Sequence, residues 1–138
     1  MHMIDSGLAC HLLGIRSAEQ LKVHPLREFI FESWVAAEIL KARVHRGLPA
    51  DLFHLRENRG LEVDLVDESA DGIVAVEAKS GATVAPDFFN HLREFAARMK
   101  EEQASVPVSL RLVYGGARTE RRSDVQVIAW GEIQDVPW

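Results

Sequence analysis

The chain of 138 residues contains a single cysteine, Cys10. This residue cannot form an internal disulfide bond, and no second thiol is present to complete a cysteine-based zinc site. Among the six histidines there is no HExxH or HxxxH spacing, so a histidine zinc site is not expected either. A reducing, cytoplasmic setting is therefore predicted.

Long apolar runs and nucleotide-binding motifs are also missing. No stretch approaches 18 consecutive apolar residues, and no basic segment followed by an apolar one opens the chain, so neither a membrane span nor a secretory signal is predicted. A GxxxxGK[ST] loop is absent, so this domain is not itself a nucleotide-driven motor. The net charge of -5 disfavours a protein that holds DNA by bulk charge alone, although local basic patches can exist.

The composition is that of a folded domain, with 47% hydrophobic and 27% charged residues. We expect one domain over residues 1–138. An apolar helix begins near Asp5, with almost no chain before it, which favours a C-terminal fragment of a longer protein. We also expect an exposed apolar patch near this helix, which a neighbouring module or self-association would cover.

Hydrophobic periodicity and capping residues predict the secondary structure. A helix capped by Asp5 ends at Gly14, and Ser17 with Gln20 predicts a short helical turn up to Val23. Longer amphipathic helices are predicted from Pro25 to about His45 and from Pro86 to about Gln103, the latter with an apolar stripe that should be core. Strands are predicted over Leu52–Leu55, Leu61–Val66, Ile73–Lys79, Val108–Tyr114 and Val125–Trp130.

The order of these elements predicts the fold. Three strands in an antiparallel meander, joined by a crossover helix to later strands, indicate a mixed sheet of about five strands flanked by helices, an α/β architecture. The polar runs Asp67 to Gly72 and Arg118 to Asp124 are predicted as loops.

Acidic residues and a lysine lie on two of the predicted strands. Strict alternation places Glu62, Asp64 and Val66 on one face and Leu61, Val63 and Leu65 on the other. On the next strand, Glu77 and Lys79 point the same way, about 6.6 Å apart along the strand. If the two strands pair, Asp64 lies opposite Glu77, and two such close acids repel unless a cation or a shared proton intervenes.

Such a cluster suits a hard divalent ion. Mg²⁺, or Mn²⁺ in its place, takes oxygen ligands and uses only one or two carboxylates, here Asp64 and Glu77. With Lys79 beside the ion, the predicted chemistry is metal-assisted hydrolysis of a phosphodiester. The competing interpretation is a surface salt bridge between Glu77 and Lys79 that has no catalytic role.

These residues carry a family resemblance. Asp64, the run Val76-Glu77-Ala78-Lys79 and a helical Glu32 resemble the PD-(D/E)XK nuclease superfamily, although Val63 stands where a proline is usual. Together with Asp5-Ser6-Gly7-Leu8 and Leu112-Val113-Tyr114-Gly115-Gly116, they make nearly the whole chain similar to the C-terminal domain of a family of prokaryotic AAA-type ATPases.

The resemblance implies a restriction-endonuclease-like core, with catalytic roles for Glu32, Asp64, Glu77 and Lys79. It also implies that ATP acts only through an ATPase module that precedes this domain in the same polypeptide, and that DNA is a partner. A fold does not fix an activity, so the alternative is a catalytically inactive interaction or regulatory domain.

Basic side chains flank the hairpin that carries Asp64. His54, Arg56 and Arg59 are candidate phosphate contacts, because arginine recognises phosphate with a forked pair of donors. The alternative for these three residues is a solvated turn.

Overall fold

A computed structural model describes residues 3–57, 60–69, 71–103 and 105–138, with the side chain of Ser69 left out. Four α-helices occur in this part of the chain: α1 (Ser6–Leu12), α2 (Ala18–Lys22), α3 (Arg27–His45) and α4 (Asn90–Glu102). The described strands are β1 (Leu52–Arg56), β2 (Glu62–Ser69), β3 (Gly72–Lys79), β4 (Val108–Tyr114), β5 (Glu120–Arg122) and β6 (Val125–Ala129). Two 3₁₀ segments complete the elements, Pro86–Phe89 and Trp130–Asp135.

The strands form one mixed sheet in the order β1-β2-β3-β4-β6-β5. Strands β1, β2 and β3 are antiparallel neighbours, whereas β3, β4 and β6 run parallel to one another. Helix α4 makes the crossover from β3 to β4. The predicted α/β class and the meander followed by a crossover helix are confirmed.

The sixth strand, β5, lies inside the run predicted as a loop. Its three residues are all charged and exposed, so they carry no hydrophobic alternation that could mark a strand. Backbone pairing with β6 creates the strand, and Ser123 takes a positive φ of 54° in the turn between the two. An edge strand of this kind leaves no pattern of buried side chains in the sequence.

Strand β2 also runs further than predicted, through Asp67 as far as Ser69. Asp67 is buried, and both of its carboxylate oxygens accept hydrogen bonds from the guanidinium of Arg43 on α3. Asp67 is polar and is therefore predicted as part of a turn. It can be buried because Arg43, on a helix distant in sequence, pairs with its carboxylate.

Two hydrophobic cores lie on opposite faces of the sheet. One core contains Leu92 and Phe95 of α4, and the other contains Val35 and Ile39 of α3. Phe89 is also buried, so the predicted apolar stripe of the second long helix is core as expected. The sheet is thus the middle layer between α3 and α4.

A bulge in β2 breaks the alternation that the sequence predicted. Leu61 and Val63 pack in the core on the α4 side, whereas Leu65 packs in the core on the α3 side. The pairing with β1 shifts at the same point, since Phe53 pairs with Val66 but Leu55 pairs with Val63. Strict alternation through Leu61, Val63 and Leu65 is therefore wrong, because an extra residue at this point reverses the faces.

The first helices follow their predicted caps. The Asp5 side chain accepts from the backbone N–H of Leu8 at 2.8 Å, and Ser17 accepts from that of Gln20 at 3.3 Å. Helix α1 has no buried residue, and it leaves Leu8 and Leu12 exposed, as expected for an apolar patch. In the part of the chain that the structure describes, no helix has the length and apolar character needed to cross a membrane.

Candidate active site

Glu77 and Lys79 lie at the carboxyl end of β3, next to the parallel strand β4. Residues two apart on a strand share a face, and here Lys79 Nζ lies 2.6 Å from Glu77 Oε1. Glu77 is buried and Lys79 is partly buried. Lys79 Nζ also lies 5.9 Å from the ring centre of Phe88, an aromatic neighbour on the α4 side. The predicted common face of Glu77 and Lys79 is confirmed.

Asp64 reaches this region from the bulge of β2. The pairing of β2 with β3 ends at Leu65 and Val76. Just beyond that pair, Asp64 Oδ2 accepts the backbone N–H of Ala78 at 2.8 Å. The carboxylate therefore lies in the gap between the two strands, where a backbone acceptor would continue the ladder.

Glu32 approaches from α3, where it is half-buried. The pKa of its carboxyl is raised to about 7, chiefly by burial and next by the nearby charge of Asp64, while Lys79 opposes the shift. These electrostatic effects show that the fold brings the helical acid near the acid and the lysine of the sheet.

The two sheet carboxylates also resist ionisation. Burial raises the pKa of Glu77 to about 7, with repulsion from Asp64 as the next cause. Burial raises the pKa of Asp64 too, against the opposing effect of the hydrogen bond from Ala78. Burial alone would lower the pKa of Lys79, but the ion pair with Glu77 outweighs it and the pKa rises. Glu77 is thus in direct contact with the ammonium group of Lys79, and the charges of Asp64 and Glu28 also act on that group.

One carboxylate oxygen of Glu77 has no hydrogen-bond partner in the part of the chain that the structure describes. Glu77 Oε2 is buried and is unpaired among the described residues. An unpartnered buried carboxylate oxygen is costly unless a cation or a proton satisfies it. Mg²⁺ and Mn²⁺ bind oxygen, so Asp64 and Glu77 are the residues that could hold either ion.

The described residues contain no preformed cluster of metal ligands. Across residues 3–57, 60–69, 71–103 and 105–138, no three or more His, Cys, Asp or Glu side chains are arranged to hold a metal ion. A Mg²⁺ ion keeps several waters and often takes only one or two carboxylates from the protein. The donor set fits that minimal mode of binding and does not fit a structural metal site.

A polar clamp that the sequence did not predict holds the segment after Lys79. Glu28 of α3 accepts from the backbone N–H of Ser80 at 3.1 Å and from its hydroxyl group. Arg27 donates to the backbone carbonyl of the same serine. The only sequence signal is that Glu28 lies one helical turn before Glu32, while Ser80 directly follows Lys79.

The candidate phosphate contacts lie on β1, beside the bulge. His54 Nδ1 lies 3.1 Å from the backbone oxygen of Asp64, and its Nε2 lies 3.7 Å from Glu62 Oε1. Arg56 Nε lies 3.8 Å from Glu62 Oε2, and the arginine is largely exposed. Arg59 lies outside the described residues. His54 therefore lies close to Asp64, and His54 and Arg56 share one acidic neighbour, Glu62.

Fold and site together define a mixed α/β domain with a carboxylate-rich cluster where its antiparallel and parallel halves meet. A protein-family model described as "Domain of unknown function (DUF4143)" matches residues 27–133. The chain belongs to this family, and the match includes every residue of the cluster. A search of curated proteins found no match to the chain.

Proposed function

We propose that this chain is a PD-(D/E)XK-type domain with a restriction-endonuclease-like core that hydrolyses phosphodiester bonds in DNA with the help of Mg²⁺ or Mn²⁺. The observation that carries the proposal is the buried, unpartnered oxygen of Glu77, placed beside Asp64 and Lys79. Burying an excess of negative charge costs free energy, and carboxyl groups with such raised pKa values are concentrated at functional sites.

Each member of the cluster has a role in this proposal. Asp64 and Glu77 bind the divalent ion, which neutralises charge on the phosphodiester when it is bound. Lys79 donates hydrogen bonds to a phosphate oxygen or to the attacking water. Glu32, with a pKa of about 7, accepts a proton from that water near neutral pH. His54 and Arg56 contact neighbouring phosphates.

The domain would act with an ATPase module of the same polypeptide in the cytoplasm. The resemblance to the C-terminal domain of AAA-type ATPases supports this partnership, and ATP enters only through that module. The exposed apolar side chains Ile4, Leu8 and Leu12 provide a surface that the module would cover. In the isolated chain the same surface favours self-association, which sedimentation at increasing protein concentration would detect.

The test combines metal binding with DNA cleavage. Mg²⁺ and Mn²⁺ are titrated into the chain by calorimetry, and plasmid integrity is followed under the same conditions. We expect binding and cleavage in the wild type, and loss of both in Asp64→Asn and Glu77→Gln. Glu68→Gln is the matched control, because it removes an exposed acid from the same strand as Asp64. Absence of metal binding in the wild type would refute the proposal.

A second candidate is a catalytically inactive interaction domain. The ion pair between Glu77 and Lys79 favours it, because that contact already satisfies the ammonium group without a substrate. The net charge of -5 also favours it. In that case the wild type would bind no divalent ion and leave DNA intact, but the isolated ATPase module would bind the chain, and Leu8→Asp would weaken that complex.

A further inference from the structure

A groove of about 410 Å³ opens beside the candidate active site, at the carboxyl edge of the parallel strands. Ser80 after β3, Gly115 after β4 and Trp130 after β6 line its sheet side, while α1, α2 and α3 form its other walls. The carboxyl edge of parallel strands is where open α/β sheets commonly bind ligands.

Three aromatic side chains line this groove, Phe31 and Trp34 from α3 and Trp130 from the sheet side. The ring centres of Trp34 and Trp130 lie 5.8 Å apart at an interplanar angle of 66°, and those of Phe31 and Trp34 are also 5.8 Å apart. Trp130 remains 51% exposed, although tryptophan is a residue that usually buries its large apolar surface. Exposed indole rings in a groove form a surface on which a flat ring can stack.

The charge of the groove is opposite to that of the whole chain. Lys22 and Arg27 line it, and none of its described lining residues is acidic. Arg27 is held in place by hydrogen bonds to the backbone carbonyls of Ser80 and Lys22. In a chain of net charge -5, a groove with two cations and no acid favours an anionic ligand.

The groove and the carboxylate cluster share a border. Ser80 lines the groove and directly follows Lys79 of the cluster. Glu28, whose side chain holds Ser80, lies one helical turn from Glu32. The groove and the cluster are therefore adjacent along the chain at the end of β3, with Lys79 in the cluster and Ser80 at the groove.

We propose that the groove binds an unpaired base of single-stranded DNA, stacked on Trp130, with Lys22 and Arg27 facing the adjacent phosphate. The inference rests on the proposed function, because it assigns that site a substrate class. Aromatic stacking combined with cations is how proteins bind single strands without reading their sequence. Bases of a duplex stack on each other, so they cannot enter the groove without melting.

The experiment measures DNA binding without cleavage. A short fluorescein-labelled oligothymidine, and a duplex of the same length, are titrated with the whole chain in buffer containing EDTA, and anisotropy is recorded. We expect the single strand to bind more tightly than the duplex. Trp130→Ala should weaken single-strand binding by about tenfold, whereas Trp130→Phe, which keeps a stacking ring, should change it by about twofold at most.

Matched controls separate the groove from the rest of the surface. Phe53→Ala removes an exposed aromatic ring from β1, outside the groove, and should leave the affinity unchanged. Lys22→Ala should make binding less dependent on salt, and Lys100→Ala, on α4, should not. Circular dichroism confirms that each variant is folded.

Three results would overturn the inference: no binding of the single strand, equal affinity for single strand and duplex, or an unchanged affinity in Trp130→Ala. If Trp130→Ala abolished self-association without changing DNA binding, the groove would be a protein interface instead. Metal-dependent cleavage of duplex DNA without binding of the single strand would preserve the proposed function and refute this inference. Stacking-dependent binding of the single strand without metal-dependent cleavage would support this inference and refute the proposed function.

Discussion

Asp64 Oδ2 accepts the backbone N–H of Ala78 at 2.8 Å, just past the point where the pairing of β2 with β3 ends. The bulge in β2 makes this contact available, because it frees Asp64 from the regular alternation of the strand. The carboxylate thus has a structural role in joining the two strands and, in our proposal, a second role as a metal ligand. Substitutions can separate the two.

Asp64→Asn should keep the structural role and lose the chemical one. An asparagine oxygen can still accept the N–H of Ala78, while removal of the charge relieves repulsion with Glu77 and Glu32. We expect the free energy of unfolding to stay equal or to rise, and Mg²⁺ affinity to disappear. Urea denaturation and calorimetry measure the two quantities. A loss of several kcal/mol in Asp64→Asn would instead show that the charge itself is structural.

Asp64→Ala is the contrasting variant. It leaves the buried N–H of Ala78 without an acceptor, at a cost of about 1–3 kcal/mol. Equal stability of the alanine and asparagine variants would contradict the structural role assigned to the hydrogen bond.

The stability of the folded chain should depend on pH through Glu77. Its pKa is raised from 4.5 to about 7, so between these values the folded state holds more protons than the unfolded state. This carboxyl therefore destabilises the fold progressively as pH rises from 4.5 towards 7, and the cost persists above that range.

Glu77→Gln should remove that dependence. We compare the free energy of unfolding of the variant with that of the wild type at two pH values. The difference in favour of the variant should be larger at about pH 8 than at about pH 5, by on the order of 2 kcal/mol. Urea denaturation at a series of pH values measures the difference. If the stability difference between variant and wild type stayed constant across this range, the carboxyl would not have a raised pKa in the folded state.

How far the fold could be predicted depended on the range of the interactions. The caps Asp5 and Ser17 bond within three residues, so their helices could be predicted from local sequence. Strand β5 and the end of β2 were missed because pairing and a distant partner, rather than apolar alternation, create them. Asp67 looks like a loop residue until Arg43, on another element, is brought to it.

In the candidate site, too, residue types could be predicted from the sequence, whereas contacts with distant partners could not. Asp64, Glu77 and Lys79 could be selected from their types and spacing, and Glu32 from the family resemblance. The fold brings them near one another, while their catalytic roles stay a prediction. The position of the Asp64 side chain could not be predicted, because the bulge that sets it depends on the register of β2 with β1. The contact of Glu28 with Ser80 could not be predicted either, because the two residues are 52 positions apart in the sequence.

The buried pair of Arg43 and Asp67 should be important for stability. Arg43 also donates from Nε to the carbonyl of Pro49 at 2.8 Å, so it ties α3 to the segment before β1 as well as to β2. Asp67→Ala leaves the guanidinium buried without its counter-charge, and we expect a loss of about 3–5 kcal/mol.

An exposed ion pair gives the matched control for that variant. Arg93 lies 2.9 Å from Asp124, and both side chains are 46% exposed. Asp124→Ala should cost less than about 1 kcal/mol, because water screens the pair. Thermal and urea denaturation compare the two variants, and similar losses in both would show that burial of Arg43 adds nothing to its pair.

Gly115 should control the position of the segment that joins the cluster to the groove. Its N–H donates to the backbone oxygen of Lys79 at 2.9 Å, and a Cβ placed on it would lie 2.2 Å from the backbone oxygen of Ser80. Gly115→Ala must therefore push β3 and β4 apart at their carboxyl ends, at a cost of about 1–3 kcal/mol. Because Lys79 moves with Ser80, we expect weaker binding of both Mg²⁺ and single-stranded DNA.

Gly131→Ala is the matched control. A Cβ at this position would meet no atom within 4 Å, so the variant should leave stability and both affinities unchanged. Urea denaturation, calorimetry and anisotropy measure the three effects, and a Gly115→Ala variant as stable as Gly131→Ala would show that the two strand ends can separate freely.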